Sequence, residues 1–84
     1  MIHVDMGLPD GTKAYFLLNE LTDVGKILPI LSDLIGDESA KDGELFDELS
    51  GRKLQKNLSL KAQGITSGYR LRIGAKGGQY ASVQ

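Results

Sequence analysis

The chain contains no cysteine, so neither disulfides nor thiolate metal ligands hold it together, and it has no cysteine nucleophile or thioester sulfur of its own. One histidine, His3, excludes multi-histidine metal sites. It alternates with apolar residues and is expected to face solvent beside Asp5. Without a G-x-S-x-G elbow, a hydrolytic triad exists by composition only. Walker-type and dinucleotide glycine motifs are also absent. The acidic stretch from Asp37 to Glu44 fails as a calcium loop. With Gly43 at the sixth loop position, Ala40 and Leu49 fall where carboxylates are required. Neither catalysis by the chain itself nor a metal or cofactor is expected. Aromatic residues make up only 6% of the sequence, which argues against a nucleic-acid partner. No apolar run approaches the roughly 18 residues of a membrane helix, and the start lacks a signal-peptide pattern. A cytoplasmic protein without membrane contact is the expectation.

Eighty-four residues suffice for one domain. A chain this short buries only about 60% of the surface its unfolded form exposes, so its core must be economical. Charge is divided sharply along it. All eleven acidic residues lie between Asp5 and Glu48, against three basic ones, giving −8 for the first 50 positions. From Gly51 onward there are seven basic residues and no acid, giving +7. Either the halves neutralise each other within the fold, or a basic face steers an acidic partner.

Ile2, Val4 and Met6 alternate with His3 and Asp5, as in a strand with one buried face. Pro9 and Asp10-Gly11 mark a turn, and residues 13–19 read as a second strand. Phe16 and Leu18 fall on one side of it, Tyr15 and Leu17 on the other. Thr22 or Asp23 can cap a helix through its side-chain oxygen. Val24, Ile27, Leu28, Leu31, Leu34 and Ile35 then follow at helical spacing up to Gly36. Pro29 conflicts with that spacing, so the helix is expected either to kink there or to begin nearby. Leu45, Phe46 and Leu49 predict a third strand, and Ser50-Gly51 turns into a short fourth one around Leu54. Ser59 can cap one helical turn ending at Gly64, with Ile65 packed behind it. In the last strand Tyr69, Leu71 and Ile73 point one way, Arg70 and Arg72 the other. Residues 74–84 have nothing to bury and are expected to form a mobile tail. The order calls for a sheet curled around one main helix, an α+β arrangement.

This order, and the block from Gly51 to Ile65, resembles ubiquitin and its relatives. Gly51-Arg52-Lys53-Leu54 looks like the family's Gly-Lys-Gln-Leu, and a later Leu and Ile follow without gaps. The strand Tyr69–Ile73 resembles the family's last strand, and Gly77-Gly78 follows where ubiquitin-like modifiers place their diglycine. The resemblance covers roughly residues 1–78 and implies a β-grasp fold over residues 1–73, a mixed sheet of four or five strands on one main helix. Of the family's apolar receptor patch only Leu8 keeps its character, with Glu48 and Gly74 at two aliphatic positions. The lysine most associated with chain building aligns with Arg52. A divergent, bacterial ubiquitin-like protein fits these departures.

The resemblance implies a modifier. An activating enzyme adenylates the terminal glycine carboxylate, a partner cysteine takes the acyl group, and a conjugating enzyme delivers it to a lysine of a target protein. Glycines suit a narrow channel because they lack Cβ atoms. Arg70, Arg72 and Lys76, with Arg52 and Leu8, would meet these partners. Since Gln79 to Gln84 follow Gly78, a peptidase must first cut the Gly78–Gln79 bond. Chance alone supplies about one Gly-Gly pair in a chain with 11 glycines, so position, not composition, gives this pair its weight. Two other readings stand beside it: an unconjugated interaction module, like the ubiquitin-like accessory proteins of type VII secretion, and a sulfur carrier with a terminal thiocarboxylate.

Overall fold

The computed structural model describes residues 1–74. The N-terminal hairpin pairs β1 (Ile2–Gly7) with β2 (Lys13–Leu18), Ile2 lying opposite Leu18 and Gly7 opposite Lys13. Asp10 fixes the turn by accepting both the backbone N–H and the hydroxyl of Thr12, at 2.9 and 2.6 Å. There follow α1 (Val24–Ile35), a 3-10 turn (Glu38–Asp42), β3 (Glu44–Asp47), a second 3-10 turn (Lys61–Gln63) and β4 (Tyr69–Gly74). The sheet order is β2-β1-β4-β3, with β1 and β4 parallel at its centre and antiparallel pairs on either side. This is the expected α+β arrangement, with four strands.

Strand alternation sends Ile2, Val4, Met6, Leu18, Leu45, Leu71 and Ile73 to one face of the sheet. There they meet Val24, Ile27, Leu28 and Leu31, a helical stripe at the predicted spacing. Ala40, Leu54, Leu60 and Ile65, all from connecting segments, complete the core. At about 25 cal/mol per Å² of apolar surface, each such aliphatic side chain stabilises the fold by roughly 1.5–3 kcal/mol. Among the described residues no helix is long and apolar enough to cross a membrane.

Several expectations need correction. Pro29 lies inside α1, and the helix neither starts there nor breaks. The first turn is held from outside the helix: Val24 N–H bonds to the Leu58 carbonyl at 3.0 Å and Gly25 N–H to the Lys56 carbonyl at 2.9 Å. Asp23 is the N-cap residue, as expected, but its side chain makes no capping bond. Two of the orphan donors that a cap would satisfy are taken by backbone of the 56–58 segment instead. A Cβ at Gly25 would stand 3.1 Å from the Lys56 oxygen, so the glycine permits this approach.

The fourth strand around Leu54 reduces to one bridge, between Phe46 and Lys53. Leu54 N–H still bonds to the Leu45 carbonyl at 2.8 Å, but the next residues turn away to cap α1 and cannot extend the ladder. β3 ends at Asp47, and Leu49 is 80% exposed in the following turn. That turn belongs to Asp47, whose carboxylate accepts the Leu49 N–H and whose carbonyl accepts the Gly51 N–H. At the other end, Gly74 pairs with Glu44, so the last strand runs one residue beyond Ile73.

Candidate functional site

The sheet face turned away from α1 carries the polar half of each strand. Directly opposite residues in paired strands share a face, so the registers define rows across it. One row runs Lys13, Gly7, Arg72, Phe46 and Lys53. The next runs Tyr15, Asp5 and Arg70. Alternation along β4 places Arg70 and Arg72 here together, as expected. Arg72 bonds to the Glu48 carboxylate at 3.0 Å, and its guanidinium carbon would be 3.6 Å from a Cβ at Gly7. The guanidinium thus lies over β1 at Gly7, close enough that a Cβ there would touch it at ordinary contact distance. Glu48 itself is tied to β4 through its N–H, which donates to the Arg70 carbonyl at 3.0 Å.

Leu45-Phe46 reads in the sequence as core or edge packing, and the structure gives the two residues different parts of that role. Phe46 lies between Leu45, which enters the core, and Asp47, and alternation turns it to the outer face. It is nevertheless only 6% exposed. Its ring covers Gly74, where a Cβ would stand 2.8 Å from an edge carbon of the ring. On the other side, a Cβ at Gly43 would collide with the Gly74 carbonyl oxygen. The end of β4 is therefore gripped between the Gly43 backbone and the Phe46 ring, with glycine on both sides of the contact. The signal was available in principle: strict alternation over Leu45-Phe46-Asp47 forces the aromatic outward.

Arg52 does not join this face as an open cation. Its guanidinium donates to the Gln63 carbonyl at 3.0 Å, tying the segment after β3 to the second 3-10 turn. Gln63 reinforces the same tie, accepting the Gln55 N–H at 2.7 Å and donating to the Gln55 carbonyl at 3.0 Å. Leu8, in the hairpin turn, is half-buried and packs against the core. Lys76, Gly77, Gly78 and Gln79 lie outside the described residues.

The divided charge is partly joined by the fold. Arg72 meets Glu48 at 3.0 Å, and Lys56 meets Glu44 at 3.6 Å, each pair linking the basic half to the acidic one. Among the described residues, Arg70 and Lys53 make no ion pair. The carboxylates with altered acidity lie elsewhere. Hydrogen bonds from Thr12 hold the Asp10 carboxyl below its ordinary value. The Met1 amine, 3.0 Å away, does the same for Glu20. No cluster of three or more His, Asp or Glu side chains among the described residues is placed to hold a metal ion.

No family model matches the sequence, and no curated protein does. Solved structures do match. The C-terminal ubiquitin-like domain of human 2'-5'-oligoadenylate synthetase-like protein superposes with a TM-score of 0.73 at 26% identity, covering 99% of this chain and 92% of that one. A protein designed computationally on the template of human erythrocytic ubiquitin gives 0.73 at 23% identity over the whole of both chains. A de novo design based on ubiquitin gives 0.74 at 14% identity, covering 96% and 95%. With one helix against a mixed sheet of order β2-β1-β4-β3, and with these superpositions, the chain has the ubiquitin-like β-grasp fold.

Proposed function

We propose that this chain is the precursor of a ubiquitin-like protein modifier, trimmed after Gly78 and joined to targets through the Gly78 carboxylate. The observation that carries this reading is the ubiquitin-like β-grasp fold together with what the sequence places after it. β4 is anchored at Gly74 by Gly43 and Phe46, and the sequence then supplies Ala75, Lys76 and the diglycine. An anchored strand followed closely in sequence by a diglycine suits a chain whose glycine carboxylate must enter the channel of another enzyme. The chemistry belongs to the partners. Hydrolysis of the Gly78–Gln79 amide frees the carboxylate. Attack of that carboxylate on ATP gives an acyl-adenylate and pyrophosphate, transfer to a cysteine of the activating enzyme releases AMP, and transfer through a conjugating enzyme to a lysine amine forms the isopeptide bond. Arg70 and Lys53, on the outer face, suit an acidic partner surface and would speed encounter.

A second reading rests on the same face. The Arg72–Glu48 pair and the buried Phe46 are complete within residues 1–74, so an unconjugated interaction module needs nothing beyond them. Intact-mass measurement on protein from its native host, lysed under denaturing conditions, separates the two. Conjugation predicts loss of Gln79 to Gln84 and heavier species joined through Gly78, both abolished by deleting Gly77-Gly78. A single full-length species overturns it in favour of the module.

A further inference from the structure

The free edge of β2 is built for self-pairing. In the hairpin turn, Leu8 N–H bonds to the Thr12 carbonyl at 2.8 Å. Hydrogen-bonded and non-bonded pairs alternate along an antiparallel ladder. With the observed register, the pairs Met6–Ala14, Val4–Phe16 and Ile2–Leu18 are therefore the bonded ones. Lys13, Tyr15 and Leu17 stand in non-bonded pairs, so their N–H and C=O groups point away from β1. β2 ends the sheet order, and among the described residues nothing pairs with that edge. The side chains of the same three residues are exposed, Tyr15 at 79% and Leu17 at 56%. Of the usual protections the edge has only one charge, Lys13 at its start, and it contains neither proline nor bulge.

We infer that two copies of this chain associate through β2, antiparallel about a two-fold axis at Tyr15, to form one continuous eight-stranded sheet. The register follows from which groups are available. With Tyr15 opposite the partner's Tyr15, and Lys13 opposite the partner's Leu17, all three edge-facing residues of each copy find a partner. A slip by two residues in one direction calls on Asn19, whose carbonyl already accepts the Thr22 N–H. A slip in the other direction calls on Gly11, whose N–H already donates to the Leu8 carbonyl. Charge agrees with the same choice. The two lysines are held about 13 Å apart, four residues along the strand, and each ammonium lies diagonal to the partner's Tyr15 ring. A single six-residue edge buries less than the roughly 1,200 Å² of a standard stable interface, so the association is weak and concentration-dependent. A separate peptide strand could use the same edge, but nothing among the described residues supplies one, whereas a second copy brings the matching three residues.

Sedimentation equilibrium of the full chain, from micromolar to millimolar, tests the inference. The expected result is a monomer–dimer equilibrium. Tyr15→Pro removes an edge-facing N–H and the ring at the two-fold axis, while no β1–β2 hydrogen bond uses that N–H, and it is expected to raise the dissociation constant at least about tenfold with the β1–β2 ladder intact by amide exchange. Should that variant fail to fold, Leu17→Lys places like charges opposite each other at both ends, and its weakening is expected to be relieved by salt. The register has its own test, because the protein has no native cysteine. Directly opposite bonded residues have Cα atoms about 5.5 Å apart, within disulfide reach, so Tyr15→Cys should cross-link to itself and Leu17→Cys should not. A monomer throughout the concentration range overturns the inference. So does a dimer indifferent to both β2 substitutions, or faster cross-linking at position 17 than at 15.

Discussion

Along β3 the chain folds back to finish its own edge. Phe46 bridges to Lys53, the Leu54 N–H reaches the Leu45 carbonyl, and the Gly43 backbone closes on Gly74 beneath the Phe46 ring. Along β2 nothing in the described residues does this, and Tyr15 and Leu17 stand in solvent beside unpaired backbone. Both edges belong to one four-stranded sheet over one core, so core packing cannot account for the difference. The edge next to the end of β4 is held sterically, by a backbone contact at Gly43 that leaves no room for a Cβ and by the Phe46 ring over Gly74. The far edge is held by a hairpin turn whose Asp10–Thr12 bonds are local and exposed. The modifier function proposed above calls for the first edge to be rigid and leaves the second open to association.

The largest effect is expected where the finished edge meets the core. Leu54→Ala removes a side chain only 1% exposed from a segment without regular strand structure, and should cost about 3–4 kcal/mol, read as a lower urea midpoint. Next comes Gly43→Ala. Gly43 has an ordinary negative φ of −83°, so its need is for space and not for an unusual conformation. An added Cβ meets the Gly74 carbonyl oxygen, backbone against backbone, and only a shift of β4 relieves it. The expected cost is about 2–3 kcal/mol. Gly74→Ala meets the Phe46 ring, which can tilt, and should cost about 1 kcal/mol. If the two glycine substitutions proved equally mild, the steric account of this edge would be wrong.

These positions also mark how far the sequence could be read. The hairpin, the apolar stripe of α1 and the last strand were legible because period-2 and helical alternation are local and strong. Gly36 and Gly64, both with positive φ, ended their helical turns where expected. What escaped was set by contacts between distant segments. Pro29 sits inside a continuous helix because Lys56 and Leu58, some thirty residues on, hold its first turn. The strand around Leu54 shrank to one bridge for the same reason, since those residues were needed at the helix. Gly43 looked like a loop glycine, and its contact with Gly74 exists only once β3 and β4 pair. On the candidate face, Arg70 and Arg72 are legible by alternation, whereas the bond from Arg52 to the Gln63 carbonyl, eleven residues on, is not. Leu45-Phe46 reads as core or edge packing, and only the pairing of β3 with β4 shows that Phe46 takes the edge, over Gly74.

A smaller effect is expected at the Arg72–Glu48 pair. Both side chains keep partial solvent access, at 36% and 23%, so Glu48→Gln should cost less than about 1 kcal/mol and the loss should shrink in high salt. Arg72 would keep its place over Gly7, because packing of the guanidinium does not depend on the charge of its neighbour. Under the proposed function its consequence would be larger than for stability: removing the Glu48 charge makes the outer face more positive and should speed association with an acidic partner, measured as a rise in association rate at low ionic strength.

The smallest effect belongs to the open edge and separates it from the finished one by pH. Asp10 and Glu20, which flank β2, are the carboxyls held below their ordinary values, by Thr12 and by the Met1 amine respectively. A group whose folded-state value is depressed binds fewer protons folded than unfolded, so its contribution is present above the ordinary carboxyl range and is lost as pH falls through it. Stability should therefore decline as pH drops below about 4.5, and Asp10→Asn should flatten part of that decline. At neutral pH the same variant already lacks that contribution, so it should unfold at a slightly lower urea midpoint than the native chain and approach it in acid. Amide exchange would locate the loss. Acid should release the N–H groups of the hairpin turn, including Thr12, before those of Leu54 and Glu48, which are tied by backbone carbonyls that do not titrate. Simultaneous release at both edges would mean that the hairpin and the β3 closure open as one cooperative unit, and the division between a sterically held edge and a locally held one would fall.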